Sequence, residues 1–500
     1  MGTSQLKYVS NSFAWGVCAK FLDAGLKFLT IPLLLGYFGK ENYGLLTLAI
    51  ATNAYMQLLN MGMNTGAVKF FSQWIETKNY ELIDRVSRTN LSFYLGIGLI
   101  NSIVLLSLSF WGQSVFKVTP EQFISFQYLL RILAGFSILN WIIFVFNQLL
   151  IADERIGFTQ QMLSIRSILS LLLVGATILL KLSIVHYFIL NLFVSSIVIF
   201  PYYYRCKKSN LIKSMIPAFY WKDFSVILKY SIAIFAMGLF QFTATQSRPL
   251  ILGMFSDQGV GILTEYRVIE VFPIFIISIG GMLISILLPK TSRAIQSNNR
   301  TSIEKMAYEG TKYTSILVSF LCFPIILNAT DLITLYVGEE YSHLGQWLAL
   351  WVFSLTLYLH NSPVASLVLA TGKTKILVIS SAIACIISMI INAVLVNYFN
   401  VGSAVLGYLV YIIIQMSFYY LYFNNKVLGL ISLKIFKSFI VPTLLGFFAL
   451  FLVTIINLEL NIWLKIIFKS VIWCLFYITL LFVAKVIDMS KLKSILTNNK

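Results

Sequence analysis

Charged and amide side chains stand at regular spacing inside stretches that are otherwise apolar. Lys20, Asp23 and Lys27 fall within a ~60° arc of one helix at 100° per residue. Asn53, Gln57, Asn60 and Asn64 fall within a similar ~60° arc of the next. Later in the chain, Gln241, Thr245 and Arg248 form one stripe, and Glu265, Arg267 and Glu270 open the stretch after it. A charge in hydrocarbon costs about 2.5–3.5 kcal/mol by insertion scales, so it faces a cavity or a partner. Two readings follow. In one, the groups line a polar, net-cationic cavity, with Lys20, Lys27, Arg248 and Arg267 binding an anion and Asn53, Gln57, Asn60, Asn64, Gln241 and Thr245 lining it. In the other, Asp23 and Lys27 neutralise each other as an i,i+4 pair and the amides join neighbouring helices. Arg131 reads either as an interfacial, snorkelling side chain or as cavity lining.

The elements that must hold these groups are membrane helices. Of the 500 residues, 58% are hydrophobic and 11% charged, and the mean hydropathy is +0.84. Soluble chains carry roughly 45–50% apolar and about 25% charged residues. Both departures run the same way and exclude a soluble enzyme, a nucleic-acid binder and a disordered scaffold. Apolar runs of about 20 residues or more also exclude the ~10-residue alternation of a β-barrel. The five cysteines are scattered with no Cys-x-x-Cys, which leaves no disulfide framework and no zinc knuckle. Glu339 and His343 share i,i+4 spacing in a short acidic loop and read as solvated rather than metal-binding. The first apolar stretch is too long for a cleaved signal and is retained as a helix.

The pattern predicts about fourteen transmembrane helices, near 11–37, 43–63, 89–110, 126–150, 163–181, 184–204, 225–253, 264–289, 312–329, 345–370, 375–397, 401–423, 438–457 and 461–486. With the N-terminus cytoplasmic, the inner segments hold 25 Lys and Arg and the outer loops hold only Lys40, Lys117 and Lys181. The positive-inside rule therefore places both termini in the cytoplasm. The basic loops explain most of the +18 net charge without a nucleic-acid partner. Lys465 and Lys469, in the last two spans, have no matching acid there.

An internal repeat organises the helices. Residues 31–47, IPLLLGYFGKENYGLLT, and 248–264, RPLILGMFSDQGVGILT, agree at eight of seventeen positions, including Pro32/Pro249, Gly36/Gly253 and Gly44/Gly261. LLIADER at 149–155 and LVLATGK at 367–373 echo each other at nearly the same offset. The expected fold is an all-α integral membrane protein: two six-helix repeats around a central cavity, plus two C-terminal helices. The corresponding regions are 1–210, 224–425 and 438–486. Repeats of this kind are typical of transporters, with the substrate site between the halves.

LTIPLLLGYFGKENYGLLTLA followed by LLNMGMNTGAVKFF resembles the opening of bacterial polysaccharide flippases. These are the Wzx-type O-antigen and capsule exporters of the multidrug/oligosaccharidyl-lipid/polysaccharide superfamily. QSRPLILGMFSDQGVGILTEYRV resembles that family's junction of helices 7 and 8. The stretch LATGKTKILVISSAIACIISMIINAVLVNYFNVGSAVLGYLV resembles its helices 10 to 12. Met61 stands where the family commonly has an acid. The resemblance covers about residues 10–425. It implies an undecaprenyl-pyrophosphate-linked oligosaccharide, an O-antigen or capsule unit, moved from the cytoplasmic to the outer leaflet of the bacterial inner membrane. Polysaccharide polymerase and chain-length regulator would be partners.

On that reading Lys20, Lys27, Arg248 and Arg267 grip the pyrophosphate, and Asp23, Glu265 or Glu270 couples transport to H⁺ or Na⁺. No other cofactor and no ATP is implied. The TGKT at 371–374 has Leu367 where a phosphate loop needs glycine, and it reads as a cytoplasmic turn. A multidrug antiporter would show an acid-dominated cavity and normally twelve helices. A peptidoglycan-precursor flippase is closer in charge pattern. A membrane polymerase would need a large external loop, whereas the longest here, at 111–125 and 330–344, are about 15 residues. No enzymatic activity is expected.

Overall fold

Water is absent from the bilayer core, so each spanning segment must satisfy its own backbone, and helices do this. The computed structural model describes residues 3–54, 58–297, 299–371, 375–456 and 459–487, and among them there is no strand. The helices are α1 (Thr3–Ala54), α2 (Leu58–Glu76), α3 (Tyr80–Val115), α4 (Pro120–Ala152), α5 (Ile156–Leu179), α6 (Ile184–Ser196), α7 (Ile199–Lys208), α8 (Trp221–Phe255) and α9 (Gly261–Gln296). They continue as α10 (Arg300–Leu327), α11 (Ala329–Val337), α12 (Gly345–Leu359), α13 (Ser362–Ala370), α14 (Lys375–Phe399), α15 (Gly402–Phe418), α16 (Ser432–Thr454) and α17 (Ile462–Val483).

Among the described residues, nine spans are long and apolar enough to cross a membrane, counting α6 with α7 and α15 with the π-helical turn that extends it. The pair α12 and α13, bent by 42°, makes ten. The other four expected spans fall on α1, α2, α8 and α9, the helices that carry the polar clusters. Each expected span has a described helix within it, and the span at 43–63 crosses residues 55–57, which lie outside the described residues.

Helix ends follow local chemistry. Pro120 opens α4 behind a capping box, in which Thr119 accepts from the Gln122 N–H and Gln122 accepts from the Thr119 N–H. Ser183 and Asn461 cap α6 and α17. Gly39, at φ 78°, breaks α1 at the expected boundary between the first two spans. Pro32 and Pro249 occupy matching positions inside α1 and α8. The second echo also matches: α4 ends at Ala152 and α13 at Ala370.

Two expected loops are folded. The segment 330–344 forms α11 and the 3₁₀ turn Glu339–Leu344, because its apolar residues Ile333 and Leu344 are buried. In the segment 111–125, α3 runs to Val115 and α4 starts at Pro120. Lys465 also has an acid after all: Asp331 on α11 lies 2.9 Å away. Sequence reading missed this pair because it looked for the acid only on the last two helices. Arg131 is exposed, with its guanidinium 5.3 Å from the Phe110 ring centre. Residues 372–374 of the TGKT turn lie outside the described residues.

The chain forms two compact units, one of residues 1–267 and 389–404, the other of 268–388 and 405–500. In unit 1, Phe71, Tyr94, Trp141, Phe146 and Tyr202 build the main core. Gly62 and Gly66 of α2 form a small-xxx-small face against α8. A Cβ at Gly62 would lie 2.8 Å from Phe235 Cβ and 2.9 Å from its backbone nitrogen. In unit 2, Phe323 of α10 stacks on Trp473 of α17 at 5.5 Å, and Trp473 donates its indole N–H to the Gly446 carbonyl of α16. The two C-terminal helices are thus built into the core of unit 2.

Gly62→Val forces side-chain bulk onto the α8 backbone and is expected to cost about 1–3 kcal/mol. Gly96→Ala, where a Cβ meets open space, is expected to be neutral or stabilising by up to about 1 kcal/mol. Unfolding of the detergent-solubilised protein measures both.

Candidate functional site

The expected site residues on α1 and α2 resolve into three arrangements. Lys27 and Asp23 form an i,i+4 pair at 2.7 Å, and Asp23 also accepts from Ser167 of α5 at 2.9 Å. Asn53 accepts from Asn101 of α3 at 3.0 Å, and the same Asn101 amide donates to Ser137 of α4 at 2.8 Å. Asn60 accepts from the Tyr94 hydroxyl at 2.6 Å. That hydroxyl accepts in turn from Gln148, whose carbonyl takes a bond from Asn90. Asn60 is therefore part of a buried chain that joins α2, α3 and α4, the structural reading of the amide stripe. Asn64 is half-buried on α2. Gln57 and the side chain of Lys20 lie outside the described residues.

On α8, Arg248 is 5% exposed. Gln241 is exposed, and Thr245 spends its hydroxyl on backbone carbonyls of its own helix, Phe242 at 2.7 Å and Gln241 at 3.3 Å. Arg267 and Glu270 are half-buried one turn apart on α9. Glu265 is buried and pairs with Lys40 at 2.6 Å. Lys40 lies in the short connection expected between the first two spans, so this pair sits at one end of unit 1.

The two copies of the repeat meet at that end. Thr264 donates to the Lys40 carbonyl at 2.6 Å. A Cβ on Gly44 would run into the Val260 carbonyl, and one on Gly261 into Glu41. Glycines at matching positions of the repeat thus let each copy approach the other. Nearby, Lys117 pairs with Asp257, Gln122 donates to Glu41 at 2.8 Å, and the Asp257 N–H donates to Asn397 at 3.1 Å.

Unit 1 also holds a partly open cavity of about 490 Å³ between α1, α3, α4, α5, α6 and α7. Asn53 and Asn101 reach it from one side; Asn140, Asn147, Arg166 and Asn191 complete its polar lining. Sequence reading missed the last four. Asn140 and Asn147 are seven residues apart, on one face of α4 with Ser137, so a signal was present. It was passed over because attention went to helices that carry charge in both repeats. Arg166 was counted among the inner cations. Among the described residues, no group of three His, Cys, Asp or Glu is placed to hold a metal ion.

The sequence matches a family described as polysaccharide biosynthesis protein over residues 9–294. No curated protein sequence matches the chain. Among solved structures, the lipid II flippase MurJ in an inward closed conformation is 16% identical. The alignment covers 94% of this chain and 98% of that one, at a TM-score of 0.74. An inward-facing multidrug resistance MATE family transporter of the MOP superfamily is 15% identical, over 83% and 93% of the two chains, at 0.62. A mutant form of VcmN, a MATE transporter of Vibrio cholerae, is 14% identical over 85% and 99%, at 0.55. At these identities the likeness is one of fold.

Tyr94→Phe strands the Asn60 carbonyl and a Gln148 donor and is expected to cost about 1–3 kcal/mol. Added to Asn60→Leu, it is expected to cost less than its single-variant value, because the two side chains share one bond. A double-mutant cycle on unfolding free energies measures the coupling.

Proposed function

The chain belongs to the polysaccharide biosynthesis protein family, and from that premise we propose that it is a flippase for a lipid-linked oligosaccharide. It is a multi-pass membrane protein with the fold of a transporter. The observation that carries the reading is a set of basic side chains, Lys27, Arg248 and Arg267, borne on helices of that fold at positions predicted to span the bilayer. A pyrophosphate headgroup is anionic and too polar to cross hydrocarbon unaided. Guanidinium groups meet phosphate oxygens by bidentate, charge-assisted bonds. The lipid tail stays in the bilayer while the headgroup passes, and alternating access about a fixed site carries it across.

The cargo in this proposal is an undecaprenyl-pyrophosphate-linked repeat unit of O-antigen or capsule. It moves from the cytoplasmic to the outer leaflet of the inner membrane, with both termini cytoplasmic. Polymerase and chain-length regulator act on the delivered unit. An inside-negative potential favours outward movement of an anion by about 2.3 kcal/mol per charge per 100 mV. Asp23, Glu265 and Glu270 are the acids for H⁺ or Na⁺ coupling. Likeness to MurJ over nearly the whole length favours a peptidoglycan-precursor flippase as the second reading.

A strain lacking the protein is expected to accumulate the undecaprenyl-linked repeat unit on the cytoplasmic face and to lose surface polysaccharide. Arg248→Ala is expected to restore less than about a tenth of the wild-type surface polysaccharide, the effect of one lost charge-assisted bond. Asp23→Asn, Glu265→Gln and Glu270→Gln together are expected to abolish dependence on the ion gradient. Intact polysaccharide with a block in peptidoglycan synthesis would favour the second reading. Single surface units without long chains would identify a polymerase instead.

A further inference from the structure

We propose that the cavity inside unit 1 is a subsite for a sugar residue of the lipid-linked saccharide; the proposal rests on the flippase reading above. Asn140, Asn147 and Asn191 are half-buried in bilayer-spanning helices and line this one space. Among the described residues, none of the three has a hydrogen-bond partner in another side chain or the backbone. Asn101 is 2% exposed, and its carbonyl oxygen is buried at the cavity without a partner although its amide group is fully engaged. An amide kept at this depth without a bond is costly, so four amides converging on one space mark a place where something polar is received.

The lining selects what that is. An amide offers one acceptor and two donors, which matches the donor–acceptor alternation of neighbouring sugar hydroxyls. Trp141 and Tyr202 also border this space, but at 3% and 2% exposure they belong to the core, so the asparagines carry the recognition. The described lining carries no carboxylate, and its one formal charge is the cation Arg166, which disfavours a metal ion or a cationic drug. A wholly apolar ligand would leave the amides unpaired. The volume of about 490 Å³ lies in the range of small-molecule pockets, ~300–1,000 Å³. The anionic headgroup and the sugar would thus be read by different groups, the first by the basic side chains of the proposed function and the second by asparagines.

The test compares two probes on the full-length protein in nanodiscs. One is the undecaprenyl-linked saccharide extracted from cells lacking the protein, and the other is bare undecaprenyl pyrophosphate. Asn140→Leu/Asn147→Leu is expected to weaken binding of the saccharide-bearing lipid by at least about tenfold and to change binding of the bare lipid by less than about twofold. If the double variant does not fold, Asn191→Phe, which fills the cavity from α6, carries the same comparison. Unchanged affinity for the saccharide-bearing lipid would overturn the subsite and leave a water-filled cavity. Equal weakening of both probes with a lowered melting temperature would also overturn it and make the amides structural. In both of those results wild-type binding keeps the flippase reading intact. If the wild type binds neither probe, that reading fails, and the subsite with it.

Discussion

Hydrocarbon supplies no hydrogen bonds, and the rest of the structure follows from how each polar group copes with that. The backbone copes by folding into helices. Side chains have three solutions. Some close on their own helix, as the Thr245 hydroxyl does. Some reach a neighbouring helix, as in the chain from Asn60 through Tyr94 and Gln148 to Asn90. The remainder face a cavity, as Asn140, Asn147 and Asn191 do. The first two solutions stabilise the fold at modest gain per bond. The third contributes nothing to stability and is where function is to be sought.

Close packing within unit 1 depends on the same economy of side chains. Helices in lipid gain little from burying apolar surface, so association relies on close contact. Glycine allows it at two levels. At Gly62 and Gly66 the α2 backbone lies against α8, and at the Lys40 end Gly44 and Gly261 let the repeated segments cross. Charge pairing then adds register there: Lys40 with Glu265, and Lys117 with Asp257. A duplicated sequence has in this way become a self-complementary contact, since the residues that identify the repeat are also those that touch.

Much of this was legible in the amino-acid sequence because the bilayer imposes a length and a polarity on every span. The fourteen apolar runs and the boundary between the first two follow from one-dimensional rules, whereas the cap before Pro120 emerged only with the structure. The partner of each polar group did not. Asp331 lies 134 residues from Lys465 along the chain, in a segment short enough to pass for a loop. Lys40 looked like a topology signal and is also the counter-ion of Glu265. Asn53, expected as cavity lining, does border the unit 1 cavity, whereas Asn140 and Asn147 showed only as a spacing on α4 and Asn191 not at all. Periodicity shows which face a residue occupies but not which helix lies opposite.

Unit 1 is not contiguous in the chain: it needs residues 389–404, where Asn397 accepts the Asp257 N–H and Asn392 accepts from Ser403. During translation the first eight helices therefore emerge well before the piece that completes their unit. In unit 2, Asp331 waits still longer, for a lysine on the last helix to be synthesised. An unpaired carboxylate and an unfinished unit 1 must be tolerated, or shielded by the insertion machinery, until the ribosome has nearly finished. Biogenesis of this chain is thus governed from its C-terminal quarter. Premature stops before residue 404 are expected to leave long, fully inserted fragments that cannot complete either unit, and later stops fragments that cannot complete unit 2, substrates for membrane quality control rather than partial transporters.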